Sequence, residues 1–216
     1  VREKPALIGL SATTPVFSSA RHIAERIKEL LPDTIVVIGG AHVSAMPEDS
    51  LKAGCFDIGV IGEGELVFPE LLNHIRQRGI DGLEKLKGIA YKDASGKIIV
   101  TEREDFINDL DSLPYPARHL LPPLSKYRPT PASYRRLPLA AIMTSRGCPC
   151  QCVFCDRAVF GNGFRKRSAE NVLGEVDEVI EKYGAREIRF FDDLFTLDKE
   201  RVSAICKGLR KRKIPW

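Results

Sequence analysis

Ile35-Val36-Val37-Ile38-Gly39-Gly40-Ala41-His42 is the stretch that decides the fold. Four consecutive branched apolar residues leave no polar side for solvent. The strand they form must be covered on both faces, as central strands of parallel sheets are. Gly39-Gly40 ends it, and the same pattern recurs on either side. Upstream, Ala6-Leu7-Ile8-Gly9-Leu10 runs into Ser11-Ala12-Thr13-Thr14-Pro15, a strand with a polar exit loop. Between the two, Ala20, Ile23, Ala24, Ile27, Leu30 and Leu31 recur at helical spacing, and Pro32 stops the helix. Downstream, Pro47 opens a short helix that ends near Gly54. Asp57 to Ile61 is a third strand, and Gly62-Glu63-Gly64-Glu65 leads into a helix with Val67, Leu71, Leu72 and Ile75 on one face. This alternation with short connections predicts a doubly wound, Rossmann-like α/β sheet. Ile89-Ala90-Tyr91 and Lys97 to Thr101, around the turn Asp93-Ala94-Ser95-Gly96, predict a closing hairpin.

Composition then shifts, with half of the chain's 14 prolines lying between Pro114 and Pro138. No periodic segment survives there, so this part is expected to be an extended linker. A second block begins with the strand-like Leu139 to Thr144. Ser168 is placed to cap a helix whose apolar face is Val172, Leu173, Val176, Val179, Ile180 and Tyr183, ended by Gly184. Glu187 to Phe191 is the next strand, Asp192-Asp193 its polar end, and Asp198 to Lys213 a last helix. Two β/α units are too few to close a barrel. The resulting plan is a sheet domain with its hairpin at 1–104, a linker at 105–137, and the start of a β/α barrel at 138–216.

The eight residues Cys148-Pro149-Cys150-Gln151-Cys152-Val153-Phe154-Cys155 hold the most specific chemistry. Cys148, Cys152 and Cys155 form C-x-x-x-C-x-x-C. Three thiolates on one loop can hold three irons of a cubane iron–sulfur cluster, whose full complement is four cysteines. The fourth iron would be open to a non-protein ligand. A closed zinc site is the competing reading, yet zinc sites usually pair two distant C-x-x-C knuckles and no second knuckle exists. A disulfide framework fits less well, because Cys55 and Cys206 are scattered and no signal peptide is visible. Cys150 is expected not to coordinate.

In a parallel sheet, ligands bind where the strands end, since loops and helix N-termini gather there. Ser11, Thr13 and Thr14 offer hydroxyls at the first strand end. Gly39 and Gly40 offer close backbone approach at the second, with the His42 imidazole beside them. Gly62, Glu63, Gly64 and Glu65 offer glycine freedom with two carboxylates at the third. Singly these are weak, because such residues also make turns and caps and a lone histidine is often just packed. Together they would line one crevice for a large, polar-tailed cofactor.

Composition narrows the class further. A hydrophobic fraction of 44% and a charged fraction of 29% are those of an ordinary globular chain. No apolar run approaches the ~20 residues needed to span a bilayer. A cytoplasmic location is expected, where clustered thiolates stay reduced. The net charge of +4 is mild. The basic runs Arg165-Lys166-Arg167 and Lys207 to Lys213 read as solvated faces, and nucleic acid is a disfavoured partner because no aromatic residues interleave with the second run.

The series "LIGLSATTPVFSSA", "VVIGGAHVSAMPE", "GEGE", "LDSLPYPARHLLP", "SRGCPCQCVFC" and "FFDDLFT", in this order over nearly the whole chain, resembles the cobalamin-binding radical S-adenosylmethionine enzymes. The resemblance implies a 4Fe-4S cluster on Cys148, Cys152 and Cys155, with S-adenosylmethionine on the open iron. It also implies cobalamin in the sheet domain. Tail contacts would fall to Ser11, Thr13, Thr14, Gly39, Gly40 and His42, with Gly62, Glu63 and Gly64 alongside. Phe154 would pack near adenine, and Asp192 and Asp193 would face the amino group of S-adenosylmethionine, although capping of the following helix explains the pair equally well. Arg146 could screen thiolate charge or pair with either aspartate. The expected chemistry is radical methylation, or ring formation or rearrangement, on a small molecule, with an external electron donor. No catalytic side chain and no cobalt ligand is assigned, since the D-x-H-x-x-G pattern is not visible.

Two alternatives stay open. A methylthiotransferase-like protein acting on RNA without cobalamin usually has three further N-terminal cysteines, and here only Cys55 is present. A zinc-stabilised binding module without catalysis would hold one zinc and be colourless. A chain that starts on Val1 and stops on Trp216 just after a helix is expected to be a fragment of a longer protein, and by itself not to turn over.

Overall fold

Residues 4–216 are described in the computed structural model. Expectations that involve residues 1–3 lie outside the described residues. The chain divides into two units: residues up to Phe106 with Cys152–Gly161, and Ile107–Gln151 with Asn162–Trp216.

The first unit is built on a five-stranded sheet in sequential order. Its strands are β1 (Leu7–Ser11), β2 (Ile35–Gly39), β3 (Ile58–Val60), β4 (Ile89–Lys92) and β5 (Ile98–Val100). β1, β2 and β3 run parallel, with Gly9 opposite Val37 and Val37 opposite Ile58. β4 pairs antiparallel with both β3 and β5. The covering helices are α1 (Phe17–Leu30), α2 (Ala41–Ala45), α3 (Pro47–Lys52) and α4 (Gly64–Arg78).

The apolar run of β2 is covered as its composition requires. Val36 and Ile38 pack with Ala20 and Ala24 of α1 and Leu51 of α3. Val37, between them, points the other way and packs with Val67 and Leu71 of α4. β2 and β3 thus have buried faces on both sides, whereas β1 at the sheet edge is only partly covered, and the strand order does not reverse within the described residues. Of the apolar stripe expected on α1, Ile23 and Leu30 are about half exposed. The hairpin turn is held by Asp93, whose Oδ1 accepts the backbone N–H groups of Ser95 (2.9 Å) and Lys97 (3.0 Å). Cys55 is buried in this unit, and burial pushes its thiol pKa up.

The second unit has β6 (Leu139–Ile142) parallel to β9 (Glu187–Phe190), with Leu139 opposite Glu187 and Ile142 opposite Phe190. A two-residue pair, β7 (Ser145–Arg146) with β8 (Arg165–Lys166), runs antiparallel. Helices α5 (Ala169–Glu181) and α6 (Lys199–Arg212) pack on β6 and β9 through Val172, Val176, Val179, Ile205 and Leu209. Ser168 caps α5 by accepting the Asn171 N–H at 3.0 Å. Asp198, not Asp192 or Asp193, caps α6 by accepting the Arg201 N–H at 3.0 Å.

The proline-rich stretch differs from an extended linker. From residue 107 onward it belongs to the second unit and coils through four 3₁₀ turns between Leu110 and Ser133. Arg118, 8% exposed, donates to the Ala141 carbonyl at 3.0 Å and to Glu175 Oε1 at 2.5 Å. Arg167 donates to the other Glu175 oxygen and to the Met143 carbonyl (2.9 Å). One carboxylate, 1% exposed, therefore ties this stretch and the chain before α5 to one helix face.

Removing Glu175 would strand two buried guanidinium groups without their counter-charge. Glu175→Ala is expected to lower unfolding stability by about 3–5 kcal/mol in a denaturant titration. A loss under about 1 kcal/mol would mean the arginines find other partners.

Candidate functional site

The exit loops of β1, β2 and β3 gather at the carboxyl edge of the first sheet. Ala12 N–H donates to the Gly39 carbonyl (3.0 Å), and His42 N–H donates to the Ala12 carbonyl (3.1 Å), knitting the first two loops together. An open cleft of about 530 Å³ lies here, lined by strand-end residues and one side of α4. Ser11, Gly39, Gly40, Gly62 and Gly64 line it. Glu65, the second carboxylate of the third exit loop, lines it as well, and so do Gly9, Leu10, Val37, Val60, Phe68 and Pro69, which were not singled out. Their signal was present in the pattern. Gly9, Val37 and Val60 each stand two residues before an expected strand-end residue, hence on the same strand face. Glu65 and Phe68 share one side of α4 at i, i+3.

Thr13, Thr14, His42 and Glu63 do not line the cleft. His42 is buried, its Nδ1 3.1 Å from Thr14 Oγ1 and its ring centroid 3.9 Å from that of Phe17. Those two contacts use the ring and the hydroxyl as packing that fixes the β1 exit loop. Gly40 is held at φ +99°, and a Cβ there would stand 2.8 Å from both the Ala12 carbonyl oxygen and Ser11 Oγ. The backbone approaches at this point as only glycine allows.

In the second unit, Asp192 is absorbed by the chain. Its Oδ1 accepts the N–H groups of Thr144 (2.5 Å) and Ser145 (2.9 Å), and its Oδ2 accepts the Thr144 hydroxyl (2.5 Å). Asp193 accepts the Gly147 N–H at 3.2 Å. The pair fastens the end of β9 to the root of the cysteine loop. Arg201 completes the knot, with Nη1 donating to the Thr144 carbonyl (3.2 Å) and to the Thr144 hydroxyl oxygen (3.0 Å). Burial pushes the Arg201 pKa down, and the nearby Asp192 charge opposes that shift.

No cysteine is in a disulfide; Cys148 is half-buried, and Cys150, Cys152 and Cys155 are exposed. Phe154 is exposed at 88%. Among the described residues no three Cys, His, Asp or Glu side chains stand together as a metal site. The donor set nonetheless suits a cubane cluster with one open iron, being three free thiols in C-x-x-x-C-x-x-C order. The cleft likewise suits cobalamin's tail. Its walls are mostly glycine backbone and apolar side chains, which admit a bulky, flat group closely, with Ser11 and Glu65 as the polar members.

A glycine-walled cleft at parallel strand ends and a C-x-x-x-C-x-x-C loop after a β-strand together are the marks of radical enzymes that carry a cobalamin-binding domain. The chain belongs to the B12-binding radical S-adenosylmethionine family. The family described as B12 binding domain matches residues 1–72. The uncharacterized methyltransferase PH0819 of Pyrococcus horikoshii is 37% identical over 98% of this chain and 45% of its own length. The anaerobic magnesium-protoporphyrin IX monomethyl ester cyclase of Rubrivivax gelatinosus is 31% identical over 98% of this chain and 38% of its own length. Among solved structures, the cobalamin-dependent S-adenosylmethionine radical enzyme OxsB, with aqua-cobalamin and S-adenosylmethionine bound, superposes with a TM-score of 0.76. That match is 25% identical and covers 97% of this chain and 29% of OxsB. The chain thus spans less than half the length of these relatives.

Proposed function

We propose that the protein of which this chain is part is a cobalamin-dependent radical S-adenosylmethionine enzyme that methylates a small molecule or forms or rearranges a ring in it. The observation that carries this reading is the glycine-walled cleft at three parallel strand ends, in a chain that also has three free thiols in C-x-x-x-C-x-x-C order. When bound, the cluster, S-adenosylmethionine and cobalamin supply one-electron reduction, hydrogen abstraction and a transferable methyl group.

The chain's own residues do the holding. Cys148, Cys152 and Cys155 would ligate three irons and leave one open. Gly39, Gly40, Gly62 and Gly64 let backbone approach the cobalamin tail, while Leu10, Val37, Val60 and Phe68 keep water from one side of it. Asp192, Thr144 and Arg201 hold the root of the cysteine loop. Contacts from Phe154 to adenine, and from Asp193 to the amino group of S-adenosylmethionine, belong to this reading. Asp192 has less to offer, since both its oxygens already accept hydrogen bonds.

The substrate is a small molecule, with an external donor supplying the electron. The clustered thiols favour a reducing compartment such as the cytoplasm. No helix among the described residues is long and apolar enough to cross a membrane.

The test is anaerobic reconstitution with iron and sulfide, reduction, and electron paramagnetic resonance with and without S-adenosylmethionine. A reduced-cluster signal that changes on adding S-adenosylmethionine supports an open iron. Colourless protein holding zinc would overturn the reading.

A further inference from the structure

The cleft walls come from loops far apart in sequence, and one side chain joins two of them. Ser44 lies in α2 and is 5% exposed. Its hydroxyl donates to the Gly40 carbonyl (2.9 Å) and accepts the Gly62 N–H (2.9 Å). The directions are set by chemistry, since a carbonyl can only accept and an amide N–H can only donate. The bond to Gly40, four residues back, is ordinary for a helical serine. The bond to Gly62 is not local, because it joins the exit of β2 to the exit of β3, 18 residues on. Ser44 is itself anchored twice more. Its N–H donates to the Gly40 carbonyl (3.1 Å), and its carbonyl accepts Nη2 of Arg103 (2.9 Å), which follows the hairpin.

Gly40 and Gly62 both line the cleft, at φ +99° and +79°. Glycine has little conformational preference of its own, so a loop turning on it keeps its path only if something else fixes it. The hydroxyl of Ser44 is a tie common to both loops.

We propose that Ser44 is a positioning residue for cobalamin: it sets the spacing between Gly40 and Gly62, and with it the width of the cleft, before the cofactor arrives. Fixing the loops in advance lowers the ordering cost that binding would otherwise carry. The proposal rests on the cobalamin reading of the cleft.

Threonine and valine have nearly the same size and shape, and only threonine keeps the hydroxyl. Binding of hydroxocobalamin, followed by absorbance, is compared for the wild type, Ser44→Thr, Ser44→Val and Ser44→Ala, with thermal unfolding measured alongside. Ser44→Thr is expected to bind as the wild type does. Ser44→Val and Ser44→Ala are expected to bind about tenfold more weakly while still folded, the scale of one or two lost hydrogen bonds. Hydrogen exchange at the Gly62 amide, read by nuclear magnetic resonance without cobalamin, should quicken in Ser44→Val and Ser44→Ala and not in Ser44→Thr. Equal weakening by threonine and valine, with Ser44→Ala binding as the wild type, would assign the effect to the added methyl and overturn the proposal. Faster Gly62 exchange with unchanged binding overturns it as well. A wild type that binds no cobalamin overturns the cobalamin reading itself, while Gly62 exchange still reports whether the tie exists.

Discussion

Cys148→Ala protein, reconstituted anaerobically with iron and sulfide, is expected to lose the reduced-cluster signal that responds to S-adenosylmethionine. Cluster ligation depends on a thiolate at each held iron, and removing Cys148 leaves only the C-x-x-C pair Cys152 and Cys155 at the required spacing. The loss should be essentially complete. It should not come from unfolding, because Cys148 is only half-buried and lies outside the apolar core of the second unit. Thermal unfolding of the metal-free variant should match the wild type to within about 0.5 kcal/mol. Cys150→Ser is the necessary companion. It is expected to retain its iron and its response to S-adenosylmethionine, since the three-cysteine spacing is complete without it. Loss of about a quarter of the iron in Cys150→Ser would instead show four thiolates closing the cluster, one per iron.

Gly40→Ala is expected to be the most damaging single methyl that can be added to the cleft. At φ +99° and ψ −171° the backbone is in a region that is nearly glycine's alone, and forcing alanine there costs about 1–3 kcal/mol. The new Cβ would also stand 2.8 Å from the Ala12 carbonyl oxygen, which belongs to backbone and cannot rotate aside. That oxygen already accepts the His42 N–H, so moving it disturbs the junction of the first two exit loops. A combined loss of about 3 kcal/mol or more in chemical unfolding is expected, with loss of cobalamin retention. Gly64→Ala is the informative contrast. Gly64 also lines the cleft, but a Cβ there meets nothing within 4 Å, and the residue begins α4. Its stability should stay level or rise by up to about 1 kcal/mol. Equal destabilisation by the two substitutions would refute the strain argument for Gly40.

Much of the first unit was legible because its signals are local. Four apolar residues in a row announce a strand buried on both faces, and Val36, Val37 and Ile38 do pack on both. Asp93-Ala94-Ser95-Gly96 contains both the carboxylate that accepts the turn's amides and the glycine that closes it. Ser168 caps its helix from three residues away. Each of these outcomes depends on groups within a few residues, so the order of residues contains the answer.

The proline-rich stretch was not legible in the same way. Its place in the second unit depends on Arg118 meeting Glu175, 57 residues away, and its 3₁₀ turns carry no periodicity. The site shows the same division. The sequence by itself determined which polar groups stand at the strand ends and which cysteines have cluster spacing. Only the tertiary structure decided which of those groups face the cleft. Thr14 and His42 are turned to each other, Asp192 is taken up by Thr144 and Ser145, and Ser44 joins Gly40 to Gly62. The physical reason is that a hydrogen-bonding group is committed by whichever partner the fold brings within about 3 Å. For Thr14 with His42, Asp192 with Thr144, and Ser44 with Gly62, that partner lies 18 to 48 positions away along the chain.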